Sequence, residues 1–577
     1  MRYGSRRDDP DDWGTGPDPA RGHDDWQEPA GGQRRRGGQR KTGSGRASSG
    51  RARSRRAGPG RAPRGSGSWA QFRSKSPLAK LGYSFVAISA ALAVGISISA
   101  YAEVYRLEGN ITKDKVGGLS GKTVYGALNI LVLGSQERTG QKGFFGYEAN
   151  PGTTNSDNLL LVHLDPTHTH ATVLSIPRDL FTYEPACKER SYIGTSTWPA
   201  QAYPPGAIID GALNIGGPTC AVETVEALTG VKLDHVIVFD FNSFRSMVDA
   251  LGGVTVCVPP GPGYHDGYSH LSLSPGLHKL KYDDALAYVR TRHGVGSGVD
   301  AGGDLPRIQL QQAFISSVAQ EVEHENLFGN LSSLLRVANI ATKALTVDDS
   351  LGSVDALLHL AESLVKLKSK NINLITLPTT MDTYPGLSAH LMAVQPQDDV
   401  LYQMVRTGQL WHGSLPTEAP GKVTVNVENA TGQTGLAKKT ATALRKLGFQ
   451  IGSIGDAAYA STTTVDFAGE TQADGAYTLM RALKSFPAGD NTLSEPASQI
   501  GTAGTITLVL GADFTGVNPP APKTAKGRAG AGHDAAAGGT TAGSGSTGPG
   551  AIQSRNAGAN ICSGLPPAYA PGAQGPP

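Results

Sequence analysis

Arg290, Arg292, Asp304 and Arg307 flank a Gly-rich turn in ALAYVRTRHGVGSGVDAGGDLPRIQLQQ, residues 285–312. Read as a strand, Tyr288-Val289-Arg290-Thr291-Arg292 puts Arg290 and Arg292 on one face. Two adjacent guanidiniums repel unless an anion lies between them, and their planar forks match phosphate oxygens. A further arginine, Arg178, follows the apolar residues 171–174 in Ser175-Ile176-Pro177-Arg178-Asp179. Neutralising phosphate charge is the chemistry such a set offers. The competing reading is a group of surface ion pairs with neighbouring carboxylates.

Apolar runs predict strands at 127–134, 158–164, 171–176, 235–239, 254–258 and 372–377. Helical spacing predicts helices at 220–228, with Gly230 as a stop, and at 244–251, closed by Gly252-Gly253. Two more are expected at 310–322 and 331–344. Strands alternating with helices argue an α/β domain with one mixed central sheet. After a linker at 416–421, a second unit reads β-α-β-α-β. Its strands fall at 423–427, 465–468 and 505–510, and its helices at 435–447 and 476–483.

The ends differ in composition from the middle. Residues 1–80 hold 19 basic and 8 acidic residues, net +11 against +3 for the whole chain, so the remainder carries −8. Between 31 and 80 there are 15 basic residues and no acid, a composition that predicts disorder. Leu81–Ala102 carries no charged residue and is long enough, as a helix, to span about 30 Å of hydrocarbon. Basic residues before it place the arm in the cytoplasm and the rest of the chain outside. A cleaved signal peptide competes, but an 80-residue polar leader is too long for one. The arm's neighbour is then an anionic lipid surface, and no nucleic acid is expected.

These readings divide the chain into a disordered basic arm (1–80), a transmembrane helix (81–102) and a stalk (103–124). An α/β domain (125–413), a small C-terminal α/β domain (421–512) and a disordered tail (513–577) follow. Outside the membrane a disulfide is permitted. Cys187–Cys220 is the favoured pair, because both sit in loop-like sequence. Cys257 lies in a strand-like run and is expected to be buried. The cysteine spacing fits no zinc pattern.

Six ordered blocks give the chain a family resemblance. They are Asn129-Ile130-Leu131-Val132-Leu133-Gly134-Ser135, Ser156-Asp157-Asn158, SIPRD at 175–179, DHVIVFDFNSFRSMVDALGGVTV at 234–256, ALAYVRTRH at 285–293, and Asp304-x-x-Arg307 with Gln311-Gln312. Together they resemble the LytR-CpsA-Psr family over about half the chain. Residues 421–512 resemble the LytR C-terminal domain, with Asn429-Ala430 in place of the usual Asn-Gly turn. The first resemblance implies an α-β-α fold and a membrane-anchored, extracytoplasmic phosphotransferase. Such an enzyme moves a glycopolymer from undecaprenyl pyrophosphate onto peptidoglycan.

By the same resemblance, Arg178, Arg290, Arg292 and Arg307 hold the pyrophosphate, with Arg138 after the first glycine turn. Asp304 orients an arginine or takes the acceptor's proton. Gln311 bonds a head-group oxygen, and Asp157 holds Mg²⁺. An apolar slot for the prenyl tail falls on Ile308, Leu310, Phe314, Ile315 and Val318. Phe244, Met247, Val248 and Leu251 offer a second set. Ordinary core packing accounts for the same periodicity.

Four positions depart from the family pattern. Gln136 stands where the first metal-ligand aspartate is usual, Asn155 and Leu310 where arginines are, and Ile208 where a lysine is. Losing a carboxylate predicts weaker Mg²⁺ binding, unless Glu137 or Asp210 compensates. A non-catalytic binder of lipid pyrophosphate or cell wall is therefore the alternative function. His163 and His293 are expected to serve local structure.

Overall fold

The computed structural model describes residues 77–121, 125–136, 154–188, 197–198, 207–293, 295, 305–324, 331–381, 390–484, 504–519 and 552–567. Arg138 and Asp304 lie outside them. Helix α1 (Pro77–Glu108) contains the apolar run. Among the described residues no helix is long and apolar enough to cross a membrane. The side chains of 77–88 are outside the described set. The described residues from Ala87 onward form one compact unit.

A mixed sheet forms its centre. In chain order its strands are β1 (Thr112–Asp114), β2 (Leu128–Ser135), β3 (Ser156–Leu164), β4 (Ala171–Ile176), β5 (His235–Phe239), β6 (Leu345–Asp348) and β7 (Ile372–Thr376). They lie in the order β1-β6-β5-β2-β3-β4-β7. β2 runs parallel to β5 and antiparallel to β3, and β4 runs parallel to β7. The central strands read as near-continuous apolar runs because both faces are covered. Leu131, Leu133 and Leu161 are fully buried.

Helices follow on both faces: α2 (Ala212–Thr229), α3 (Phe241–Ala250), α4 (Tyr282–Arg290), α5 (Leu305–His324), α6 (Leu331–Ala344), α7 (Val354–Lys366) and α8 (Gln397–Thr407). One core joins Leu131, Leu161 and Leu174 to Val222 and Val225 of α2 and Leu401 of α8. On the other face Ile130 and Leu164 meet Leu360 of α7, and Leu160, Val173 and Leu374 meet Ile315 of α5. The result is the expected α-β-α layering.

Three local expectations change. Residues 288–292 are not a strand: Tyr288–Arg290 closes α4, whose acidic first turn (Asp283, Asp284) and basic last residue complement the helix dipole. The stalk contributes β1 to the sheet edge, paired with β6. Helix α2 is longer than the spacing showed, because Gly217 at φ 69° lets it bend before Pro218.

The second unit holds β8 (Thr424–Asn429), α9 (Leu436–Lys446), β9 (Gln450–Asp456), β10 (Thr464–Asp466), α10 (Ala473–Arg481) and β11 (Ile506–Leu510). Its sheet order is β9-β8-β11-β10, with β8 parallel to both neighbours. β9, QIGSIGD, is an exposed edge strand. It lacks the alternation that would reveal it in sequence. Ala473 of α10 enters the same core as Leu401, so the two units share packing.

The tail expectation is overturned between 552 and 567. Strand β12 (Ser554–Asn556) pairs antiparallel with β7 and becomes the eighth strand of the main sheet. Cys562 is bonded to Cys257, and Cys187 to Cys220, the expected pair. Cys257 is buried as expected, but in a disulfide. Composition hid the segment because polar contacts, a strand pairing and a covalent bond hold it, with Ile552 alone of its larger aliphatic side chains packed against the apolar core.

Beside Cys187–Cys220 lies Glu184, itself 1 % exposed, with the Cys220 sulfur 3.8 Å from Oε1. Burial pushes the Glu184 carboxyl up to about 7. Its folded value is raised, so its favourable contribution is complete below the unfolded carboxyl's range and is lost as pH rises through about 7. Glu184→Gln is expected to raise the melting temperature at pH 8 and leave it unchanged at pH 4. Equal melting of both proteins at pH 8 would contradict this.

Candidate functional site

Because β2 and β5 are parallel, their C-terminal ends finish side by side, where open α/β sheets place ligands. A cavity of about 660 Å³, counting its open mouth, lies there. Gly134 and Ser135 end β2, Asp157 and Asn158 start β3, and Phe239 ends β5. Asp240 caps α3 by accepting from the Ser243 N–H at 2.7 Å. That cap sets Phe241 and Phe244 into the wall. Helix α4 adds Leu286, Val289 and Arg290, and α5 adds Arg307, Gln311, Phe314 and Ile315.

The polar end is organised around Asp157. Arg178 pairs with its Oδ1, and Gln136 donates to the same oxygen at 2.6 Å. Arg307, 5 % exposed, lies 3.7 Å from it. Arg178 and Arg292 both reach Asp179, at 3.4 and 3.6 Å. Arg290 lies over the Phe241 ring, 4.7 Å from its centroid. Gln311 donates to the Val289 carbonyl at 3.1 Å. Arg178, Arg292 and Arg307 thus converge through Asp157 and Asp179, and Arg290 and Arg307 face the cavity. The surface-ion-pair reading holds for Arg292, whose side chain is 31 % exposed, and not for buried Arg307.

At the apolar end Leu160, Phe239, Phe244, Leu286, Phe314 and Ile315 form the wall. Of the residues expected in a slot, Phe244, Phe314 and Ile315 line it. Leu310 instead packs in the core with Val256 and Tyr288. His163 bonds Asn129 at 2.7 Å. His293 lies 3.3 Å from Asp266 and stacks on Tyr268.

Asp179 escaped notice in sequence as a site residue, and Asp210 was considered there only as a compensating carboxylate for the metal. Asp210 accepts from Asn155 at 3.3 Å. Burial pushes its carboxyl up to about 6, opposed by the charge of Arg178. A lone aspartate in IIDGAL carries no spacing signal, and Asp179 was visible only as the neighbour of Arg178.

For a divalent cation, the pocket offers the Asp157 carboxylate and Ser135. Gln136 turns its NH₂ toward Asp157, and rotating that amide presents an oxygen instead. One carboxylate with neutral oxygens fits a loosely held hard cation completed by phosphate and water. Glu184, Cys187 and Cys220 also cluster, but their sulfurs are joined and offer no thiolate.

An α-β-α domain with a cationic, amide-lined head and an aromatic-aliphatic slot is built for ligands that are anionic at one end and apolar at the other. The chain belongs to the LytR_cpsA_psr family, whose model matches residues 95–406. Residues 422–514 match the "LytR cell envelope-related transcriptional attenuator" model. The chain is 25 % identical over 403 residues to the cell wall biosynthesis protein LcpA of Corynebacterium glutamicum, covering 65 % of this chain and 76 % of that one. It is 29 % identical over 213 residues to the polyisoprenyl-teichoic acid–peptidoglycan teichoic acid transferase TagU of Bacillus subtilis. That match covers 37 % of this chain and 56 % of TagU. A LytR-Csp2A-Psr enzyme structure from Actinomyces oris aligns at TM-score 0.38 and 22 % identity, covering 52 % of this chain and 96 % of that one.

Proposed function

We propose that the protein is a phosphotransferase of cell-wall biogenesis that joins a prenyl-pyrophosphate-linked glycopolymer to peptidoglycan. The observation that carries this reading is the two-ended cavity: Arg290 and Arg307 at its head, Phe244, Phe314 and Ile315 along its slot. A hydroxyl of peptidoglycan attacks the sugar-linked phosphorus. A new P–O bond forms, the bridging P–O bond breaks, and prenyl monophosphate leaves. Arg290 and Arg307 face the charge that builds on the phosphate oxygens, and a preorganised cation is worth most in such a half-closed site. Arg178, held by Asp157 and Asp179, keeps Asp157 compensated and fixes the head of the pocket. Asp304 is assigned the acceptor's proton by its place in the family motif.

Mg²⁺ belongs to this reading as a weakly held ion. Asp157, with Ser135 and the Gln136 amide oxygen, would hold it, and it supplies charge neutralisation at the phosphates. Transfer is expected to need millimolar Mg²⁺ and to fall when EDTA is added. Gln136→Asp is expected to lower the Mg²⁺ concentration for half-maximal transfer about tenfold, through the added charge. An unchanged Mg²⁺ titration in that variant counts against Asp157 and residue 136 as partners.

Leu81–Ala102 is taken as a single-pass anchor, with the N-terminus cytoplasmic and the α/β domains outside. The uncharged run in α1 and two disulfides support that placement. Protease added to intact cells should then digest the domains from Ala127 onward. Their protection would contradict the topology.

A second reading, a binder that holds the carrier without transfer, is favoured by one observation. Gln136 donates to Asp157 where a carboxylate would strengthen metal binding. Prenyl phosphate release is the discriminating assay: release with wild type and none with Asp157→Ala excludes the binder.

A further inference from the structure

Helix α5 presents two stripes. Arg307, Gln311, Phe314 and Ile315 face the cavity. On the other side Gln309, Ser316 and Gln320, seven and four residues apart, form a polar row. That row is read by the C-terminal segment. Gln309 donates to the Gln553 side chain at 3.0 Å. Arg555 donates through Nε to Ser316 Oγ at 3.0 Å. Gln320 donates to the carbonyls of Ala557 and Ala559 at 2.6 and 3.0 Å.

The segment is fixed from its other side as well. Thr376 N–H donates to the Gln553 carbonyl and Ala557 N–H to that of Ile372, at 2.8 and 2.9 Å. Arg555 spends its remaining guanidinium nitrogens on the segment's own turn, the carbonyls of Ser563 at 2.5 Å and Asn560 at 3.2 Å. Cys562 is bonded to Cys257, 305 residues earlier. The Tyr264 hydroxyl donates to Pro566 at 2.6 Å. Tyr264 packs on Tyr288, which packs on Phe314 of the slot, with ring centroids 6.4 and 6.3 Å apart. The second domain therefore lies, in chain order, between two strands of the first domain's sheet, β7 and β12.

We infer that residues 552–567 are a strap that positions α5, and through it Arg307, Gln311 and Phe314, for the head group and chain of the ligand. Arg555 is the positioning residue: one guanidinium ties Ser316 on the helix to the turn that carries the disulfide. The ligand class rests on the proposed function; the strap itself rests on the contacts above. A charged fork with three partners has no equivalent in a neutral amide, so Arg555→Gln loosens the helix while leaving the disulfide in place.

The test uses the full chain in detergent and two variants, Arg555→Gln and a truncation after residue 551. Two quantities are read: hydrogen exchange along α5, and the dissociation constant for farnesyl pyrophosphate, both well below the melting temperature. In both variants exchange in 305–324 is expected to accelerate and affinity to fall about tenfold. Exchange in β8 and β11 should stay at the wild-type rate. If Arg555→Gln leaves α5 exchange and affinity unchanged, the strap has no positioning role. A lower melting temperature with unchanged affinity overturns it equally, since that is what bracing alone would give. Should wild type bind no farnesyl pyrophosphate, the proposed function fails instead. Exchange along α5 in Arg555→Gln then decides the strap by itself, faster exchange sustaining it and wild-type exchange overturning it.

Discussion

Arg290→Ala is expected to lower glycopolymer transfer by about a hundredfold to a thousandfold, the usual cost of removing one preorganised group that faces developing negative charge. The side chain closes α4 and lies over Phe241 at the cavity head. It is only half-buried, so truncation costs the fold little, and melting should stay within a few degrees of wild type. Arg307→Ala should lower transfer at least as far, with a larger loss of stability, because Arg307 is buried beside Asp157. The comparison separates chemistry from folding. Transfer retained in both variants would remove the arginines from the mechanism.

The second large effect is expected at Ile315. It lines the slot between Leu160 and Phe314 and is only partly buried, so it is a wall residue more than a core residue. Ile315→Asp places a carboxylate where a prenyl chain would lie. Each methylene that loses its apolar surroundings costs about 0.8 kcal/mol. Several lost together should weaken binding of a long-chain prenyl pyrophosphate by roughly a hundredfold or more. Inorganic pyrophosphate, which touches only the head, should bind as to wild type. Equal weakening of both ligands would mean that the substitution damages α5 itself, and that the cavity's apolar half is packing.

Much of the first domain is legible in sequence for a simple physical reason. β2, β3 and β4 are covered on both faces and so appear as near-continuous apolar runs. Arg178 and Arg307 were legible too, since charged residues inside ordered motifs stand out against apolar neighbours. The strand expected at Tyr288–Arg292 was not found: four consecutive buried residues, Ala285 to Tyr288, suit a short helix packed on two sides as well as a strand. Asp179, Phe239 and Phe241 acquire meaning only when distant segments meet, and so does the contact of Asp210 with Asn155. The strap was the least legible element. Gln553, Arg555 and Asn556 sit in a Gly- and Ala-rich tail whose composition signals disorder. Their order comes from a disulfide, a β-strand pairing and side-chain hydrogen bonds, none of which leaves a hydrophobic period.

The central claim is that the cavity performs phosphoryl transfer. It is tested most directly by incubating the detergent-solubilised full chain with a prenyl-pyrophosphate-linked glycan, peptidoglycan fragments and Mg²⁺, and measuring prenyl monophosphate. The account predicts one prenyl monophosphate for each glycan joined to peptidoglycan, and none with Arg307→Ala. Tight binding of the lipid-linked glycan with no prenyl monophosphate released would contradict it and leave a carrier-binding protein.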